Sequence, residues 1–299
     1  MDPTRRAYLE LHLAVFLFGF TAILGDLIQL SALVIVWWRV LLTSISLLFL
    51  IRAAHLIRTI PRSHLFTFMG IGVLVALHWL TFYGAIKYSN ASICLVCMAT
   101  TSFFTSFLEP LILRQRIQWY QVALGLLIVP GMFLVVNNIN WAMMAGIAVG
   151  LISAFLASLF AILNKKFIER ANPLEITFIE LSSAWLFLSL VVPFFLWQNA
   201  DATFWPGLMD WGYLLILALL CTTLAYVLAL RSLQYLSAFA SNLTVNLEPV
   251  YGIALAWVIL NDHQELEPGF YWGVGIILLA VFSYPILKRH FAKEELAAE

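Results

Sequence analysis

The chain has 299 residues, 63% of them hydrophobic and 11% charged, with a mean hydropathy of +0.95. Soluble proteins average about half apolar and a quarter charged, so this surplus cannot be hidden in one water-bounded core. The formal net charge is zero, which leaves no basic footprint for nucleic acid.

In chain order, apolar runs fall at about 7–25, 31–51, 65–86, 91–113, 118–136, 143–167, 173–197, 210–230, 238–260 and 268–287. Each is near the roughly twenty residues that cross a ~30 Å hydrocarbon layer as a helix. The runs are continuous rather than alternating, which predicts an all-α integral membrane protein with ten transmembrane helices and not a barrel. The opening "MDPTRRAYLELHLAVF" has basic residues before its apolar run but no small-residue cleavage site, and reads as an uncleaved first helix.

Basic residues set the orientation. With the N-terminus inside, Arg5, Arg6, Arg52, Arg58, Arg62, Arg114, Arg116, Lys165, Lys166, Arg170, Arg231, Lys288, Arg289 and Lys293 all fall on cytoplasmic segments. That is 14 of the 16 Lys+Arg. Lys87 lies in an outer loop and Arg39 inside a span. The positive-inside rule then puts both termini in the cytoplasm.

The two parts of the chain, 1–140 and 141–299, repeat each other. "IKYSNASICLVCMATTSFFTSFLEPLIL" from Ile86 aligns with "LQYLSAFASNLTVNLEPVYGIALAWVIL" from Leu233, placing Tyr88 on Tyr235 and Ala91 on Ala238. Gly125 falls on Gly273 at a shift one residue longer. "ALVIVWWRVLL" from Ala32 aligns with "PLEITFIELSS" from Pro173. Five helices is an odd number, so the second set enters the membrane from the opposite side. The expectation is one membrane domain of two inverted five-helix repeats.

With this layout the chain resembles the EamA family of the drug/metabolite transporter superfamily. The resemblance is carried by "FLFGFTAILG" in helix 1, with Phe18-Gly19 where the family has Trp-Gly, by "WWRVLL" in helix 2, by "AIKYSNAS" before helix 4 and by "NLEPVYGIALAWVIL" in helix 9. The family's Gly-Glu pair closing helices 4 and 9 is replaced by "LILRQR" and "VILNDH". The resemblance implies a transporter in the cytoplasmic (inner) membrane, commonly an exporter of amino acids and related metabolites.

The charges inside spans are the candidate site. In the repeat alignment Arg39 falls on Glu180. Each lies roughly 12 Å from its helix start at 1.5 Å per residue, so a ~30 Å core puts them about 6 Å apart in depth across the midplane. An unpartnered charge there costs at least ~2.5–3.5 kcal/mol, so a partner or a watery cavity is expected. Arg39 is therefore either a locked ion pair with Glu180 or Glu248, or a cavity group. Glu248 precedes Pro249, which removes a backbone donor near Val245 and, with Asn246, makes a polar notch. His78 sits in the middle of helix 3 and is a core histidine or a proton carrier. Glu10, His12 and Glu109 lie near inner ends, within reach of headgroups.

Aromatic residues cluster near these charges: Trp37, Trp38, Trp79, Phe82, Tyr83, Trp185, Tyr226 and Tyr251. Such rings suit an amine, an aromatic group or a quaternary ammonium. Cys94 and Cys97 form Cys-x-x-Cys without His or acid at ligand spacing, so packing is expected rather than metal or redox chemistry, and no cofactor. "GIAVG" at 146–150 predicts close helix packing.

The expected function is thus a secondary transporter working by alternating access. Its substrate-binding residues are Arg39, Glu180, Glu248, Trp38, His78, Trp79, Tyr83, Trp185, Tyr226, Asn246 and Tyr251. Glu180, Glu248 and His78 are the coupling candidates. One cation and two anions at mid-depth suit a small zwitterion; a cationic or quaternary-amine metabolite is the alternative. The expected partners are the lipid bilayer, a small-molecule substrate and protons or sodium, in a monomer or homodimer. A polytopic membrane enzyme is disfavoured, since neither His-Glu-x-x-His nor Gly-x-Ser-x-Gly occurs, and the missing P-loop argues against an ATP-driven pump.

Overall fold

The computed structural model describes residues 2–51, 60–135, 143–248, 250–251 and 268–298. Among these residues every regular element is helical. We label them α1 (Pro3–Leu27), α2 (Ala32–Leu48), α3 (Arg62–Tyr88), α4 (Ala91–Leu113), α5 (Trp119–Val135), α6 (Met144–Phe167), α7 (Pro173–Gln198), α8 (Leu208–Leu233), α9 (Ala238–Val245) and α10 (Pro268–Ala298). Seven of them contain a stretch long and apolar enough to cross a membrane, in α1, α3, α4, α6, α7, α8 and α10. α2 is apolar but only 17 residues long, and α5 contributes the shorter apolar stretch Trp119–Gly131.

Local chemistry explains where helices begin. Pro3 and Pro173 open α1 and α7, where a missing N–H is no loss. The Asp2 side chain accepts from Arg5 N at 3.2 Å and that of Asn172 from Leu174 N at 3.0 Å. At α4 the Asn90 side chain accepts from Ile93 N at 2.8 Å, and at α9 Ser237 Oγ accepts from Ala240 N at 3.1 Å. Asn90 and Ser237 hold the same place in the repeat alignment and make the same cap.

The buried apolar side chains form two main clusters. One joins α2, α3, α7 and α8 around Val34, Phe68, Ile176 and Leu214. The other joins α1, α4, α5, α9 and α10 around Leu11, Ile93, Ile128, Phe239 and Ile277. Each cluster draws on helices from both sides of residue 140. α3 packs on α6 and α7, α8 on α1 and α2, α4 on α6 and α9, α5 on α10, and α2 on α7.

Glycines set the closest approaches. A Cβ on Gly72 would collide with the backbone carbonyl of Glu180, so α3 and α7 touch backbone to backbone there. A Cβ on Gly25 would collide with the Tyr83 ring. Gly146 faces Ser89 and Gly150 faces Cys97, where α6 meets α3 and α4.

Two expectations from sequence change. Glu109 does not reach outward: it is 5% exposed. Its carboxylate accepts from Ala238 N at 2.9 Å and Phe239 N at 2.7 Å, capping α9 from α4. The positive N-terminal end of a helix attracts an anion more strongly than solvent does in an apolar setting. α9 is regular only to Val245, and Asn246 and Leu247 form a turn. Pro249, which lies outside the described residues, has no N–H to give the Val245 carbonyl. Most of the rest of the ninth predicted span, 252–260, also lies outside the described residues.

Candidate functional site

The site is built on α2, α3, α6, α7, α8 and α9. Arg39 is 1% exposed. Its Nε donates to Thr222 Oγ1 at 2.7 Å and its Nη1 to Tyr83 OH at 2.9 Å. The guanidinium lies 4.0 Å over the Trp79 ring. Among the described residues no carboxylate stands within ion-pair reach of it, so hydroxyls and a ring face take the place of a counter-charge. Delocalised charge and planar shape make Arg tolerant of such partners.

Thr222 is available because α8 is not a uniform α-helix. Leu219–Leu224 form a π-turn. Thr222 Oγ1 donates back to Leu217 O at 2.6 Å and Thr223 Oγ1 to Ala218 O at 2.9 Å, each five residues back. Thr43 of α2 also donates to Ala218 O, at 3.2 Å. The widened turn brings the Thr222 oxygen to Arg39 as an acceptor. π-turns of this kind concentrate at functional sites.

Glu180 is fully buried. Its Oε2 accepts from Tyr226 OH at 2.7 Å and from Asn164 Nδ2 at 3.4 Å. Its Oε1 and the Oδ1 of Asn164 have no hydrogen-bond partner. Arg39 and Glu180 do not touch. They are joined through rings, Tyr226 lying edge-on to Trp79 with centroids 6.2 Å apart, and Trp79 under Arg39.

A cavity of about 130 Å³ opens between these helices. Arg39, His78, Trp79, Tyr226 and Glu248 line it, while Glu180 and Tyr83 stand one hydrogen bond behind it. His78 Nδ1 lies 2.9 Å from Ser153 Oγ and 3.0 Å from Ser153 O, which fixes the ring against α6. Among the described residues Glu248 has no hydrogen-bond partner, so its carboxylate is open to the cavity.

Other predicted site residues point elsewhere. Trp38 Nε1 donates to Phe204 O at 2.9 Å, and its ring packs with Trp205 and Trp211. Trp185 packs against Trp37 with its Nε1 unpartnered. Asn246 donates to Ser102 Oγ at 3.1 Å. Tyr251 OH meets His12 Nδ1 at 2.9 Å. None of these four lines the cavity. Sequence reasoning missed Thr222, Asn164 and Asn242. Asn242 lines the cavity and donates to Thr105 Oγ1 at 2.8 Å. The only signal for these three was uncharged polarity inside an apolar run. Cys94 and Cys97 Sγ face the Phe82 and Ile147 carbonyls. Among the described residues no cluster of three His, Cys, Asp or Glu could hold a metal.

Comparison with known proteins gives a family and a fold. The model of the EamA-like transporter family matches residues 5–137 and 144–284, one match in each repeat. Twenty-eight solved chains match in structure. One, titled "Crystal structure of protein", superposes with a TM-score of 0.74 at 13% identity, covering 95% of this chain and 98% of that one. At that identity the likeness speaks for the fold alone. Among curated proteins nothing matches.

Proposed function

We propose that this chain, which belongs to the EamA-like transporter family, is an alternating-access secondary transporter of amino-acid-like zwitterions in the cytoplasmic membrane. The observation that carries this reading is the cavity. It draws on both repeats and holds on one wall a guanidinium bonded to hydroxyls, with no carboxylate paired to it among the described residues, and on another an open carboxylate, Glu248. Such a pair matches the two ends of a small zwitterion. Nη2 of Arg39, which Tyr83 does not engage, is the anion-binding end. A quaternary amine is less well served, because the Trp79 face that would stack on it already carries Arg39.

Ten spans in two inverted repeats are the architecture that best accounts for the packing. Exchanging α1–α5 with α6–α10 turns each contact into another observed one. The α3–α6 contact becomes α8–α1, α3–α7 becomes α8–α2, and α4–α6 becomes α9–α1, while α2–α7, α4–α9 and α5–α10 map onto themselves. Rocking of the two units about those three self-paired contacts provides alternating access. Export, cytoplasmic termini and proton coupling through a buried carboxylate complete the reading.

The test is a thermal-shift screen of amino acids, organic cations and neutral metabolites on purified protein, followed by counterflow of each hit in liposomes. Zwitterions should stabilise and exchange, and Arg39→Met and Glu248→Gln should abolish both effects. Stabilisation by quaternary amines alone would replace the zwitterion reading. Chemical conversion of a hit would replace transport with catalysis.

A further inference from the structure

The two bare oxygens beside Glu180 belong to the two members of one contact. Asn164 Nδ2 donates to Glu180 Oε2, and the atoms left without a partner are Glu180 Oε1 and Asn164 Oδ1. Both are acceptors and both are buried. A buried acceptor left unmet keeps the full cost of its lost hydration. One hydrogen on Oε1 satisfies both at once. An acid and an amide side by side then make a closed pair, N–H to one carboxyl oxygen and O–H from the other to the amide oxygen.

We propose that Glu180 is held as a neutral acid in a cyclic acid–amide pair with Asn164, and that this proton exchanges with the cavity through the Tyr226 hydroxyl. Tyr226 and Asn164 line the cavity and Glu180 does not, so a solute meets the carboxyl only through them. Starting from the ionised carboxylate, the Tyr226 hydroxyl passes its hydrogen to Oε2 and takes one from a hydronium in the cavity, which becomes water. A half-turn of the carboxyl about Cγ–Cδ brings the new O–H opposite Asn164 Oδ1.

The charged and titratable groups around Glu180 leave this pair to itself. α7 packs against α2, α3 and α8. From α2, Arg39 is engaged by Thr222 and Tyr83. From α3, His78 is held by Ser153, and Tyr83 accepts from Arg39. From α8, Tyr226 is the hydrogen-bond donor itself, Asp210 accepts from Gln29 N, and Arg231 pairs with Glu10. The lysines beside Asn164 turn away, Lys165 to Leu233 O and Lys166 to Ile112 O. Glu248 stands on the wall of the cavity, which Glu180 does not line.

As a coupling site this rests on the transporter reading above; as a protonated acid it does not, and the experiment separates the two. Infrared difference spectra are taken on the full chain in lipid nanodiscs at neutral pH, in H2O and D2O, with no solute added. The wild type minus Glu180→Gln spectrum should show the carbonyl stretch of a protonated carboxyl. Asn164→Ala should move that band upward, since the acid hydrogen loses its acceptor, and this shift reads the band even if Glu180→Gln fails to fold. Tyr226→Phe should keep the band but slow its shift in D2O more than tenfold. An ionised-carboxylate signal in the difference spectrum, as a water bridging the two oxygens would give, overturns the proposal. So does a band that collapses when sodium chloride replaces potassium chloride, which would mean a metal cation between the oxygens. A protonated Glu180 in a protein that moves no solute would instead remove the transporter reading and leave this one standing.

Discussion

Replacing Arg39 by Met separates its structural role from its binding role. The guanidinium is buried, with two hydrogen bonds to hydroxyls and a stack at 4.0 Å on Trp79. Hydrogen bonds to a charged donor contribute about 1.5–3 kcal/mol each, and a desolvated cation–π contact about 2 kcal/mol. Against this stands the desolvation of the charge, several kcal/mol even after relaxation. The terms nearly cancel, so Arg39→Met, which keeps the length of the stem, should change stability by no more than about 2 kcal/mol, a shift of a few degrees in melting temperature. Arg39→Ala also empties space and should lose a further ~2–5 kcal/mol. Binding of an anionic group has no such cancellation. Loss of one or two charged hydrogen bonds, about 3 kcal/mol, weakens Kd roughly a hundredfold. The assay is melting and solute binding on the same detergent-purified protein. Wild-type binding by a folded Arg39→Met protein would refute the site; collapse of its fold together with rescue by Glu248→Gln would show an electrostatic lock instead.

Three further outcomes follow from single contacts. Gly72→Ala should cost about 1–3 kcal/mol, because its Cβ collides with the Glu180 carbonyl; Gly70→Ala, where a Cβ meets nothing nearby, should melt like the wild type, and equal melting of the two variants would refute the close contact. Thr222→Val should strand Arg39 Nε and the Leu217 carbonyl, costing about 1–3 kcal/mol, while Thr222→Ser should keep both stability and solute binding. Glu109→Gln leaves one acceptor for two backbone donors at the start of α9; hydrogen exchange at Ala238 and Phe239 should speed up, and unchanged protection there would exclude the cap.

Helix starts were legible in the sequence because they depend on neighbours in the chain. Pro173 after Asn172, and Asn90 and Ser237 before their apolar runs, mark the first residue of α7, α4 and α9. The breaking of α9 was legible in kind but not in place: Pro249 marked it, while the regular helix already ends at Val245. The π-turn was not legible at all. It depends on Thr222 and Thr223 each reaching a carbonyl five residues back, with Thr43 of another helix joining at Ala218. Nothing local distinguishes Leu219–Leu224 from the helix on either side.

By itself the sequence determined that this chain is a membrane protein, where most of its helices lie, and that Arg39, Glu180 and Glu248 are charges set inside apolar runs, since hydropathy and side-chain charge are properties of single residues and short runs. Only the tertiary structure decided what those charges meet. Adjacent residues such as Trp38 and Arg39 point about 100° apart around a helix, so one joins the Trp205–Trp211 cluster and the other the cavity. Which neighbour each finds depends on how closely helices approach at Gly72 and Gly25 and on which face each one turns inward. Those are relations between distant segments, and in an apolar layer they are set by fit and by the need of each buried polar group for a partner.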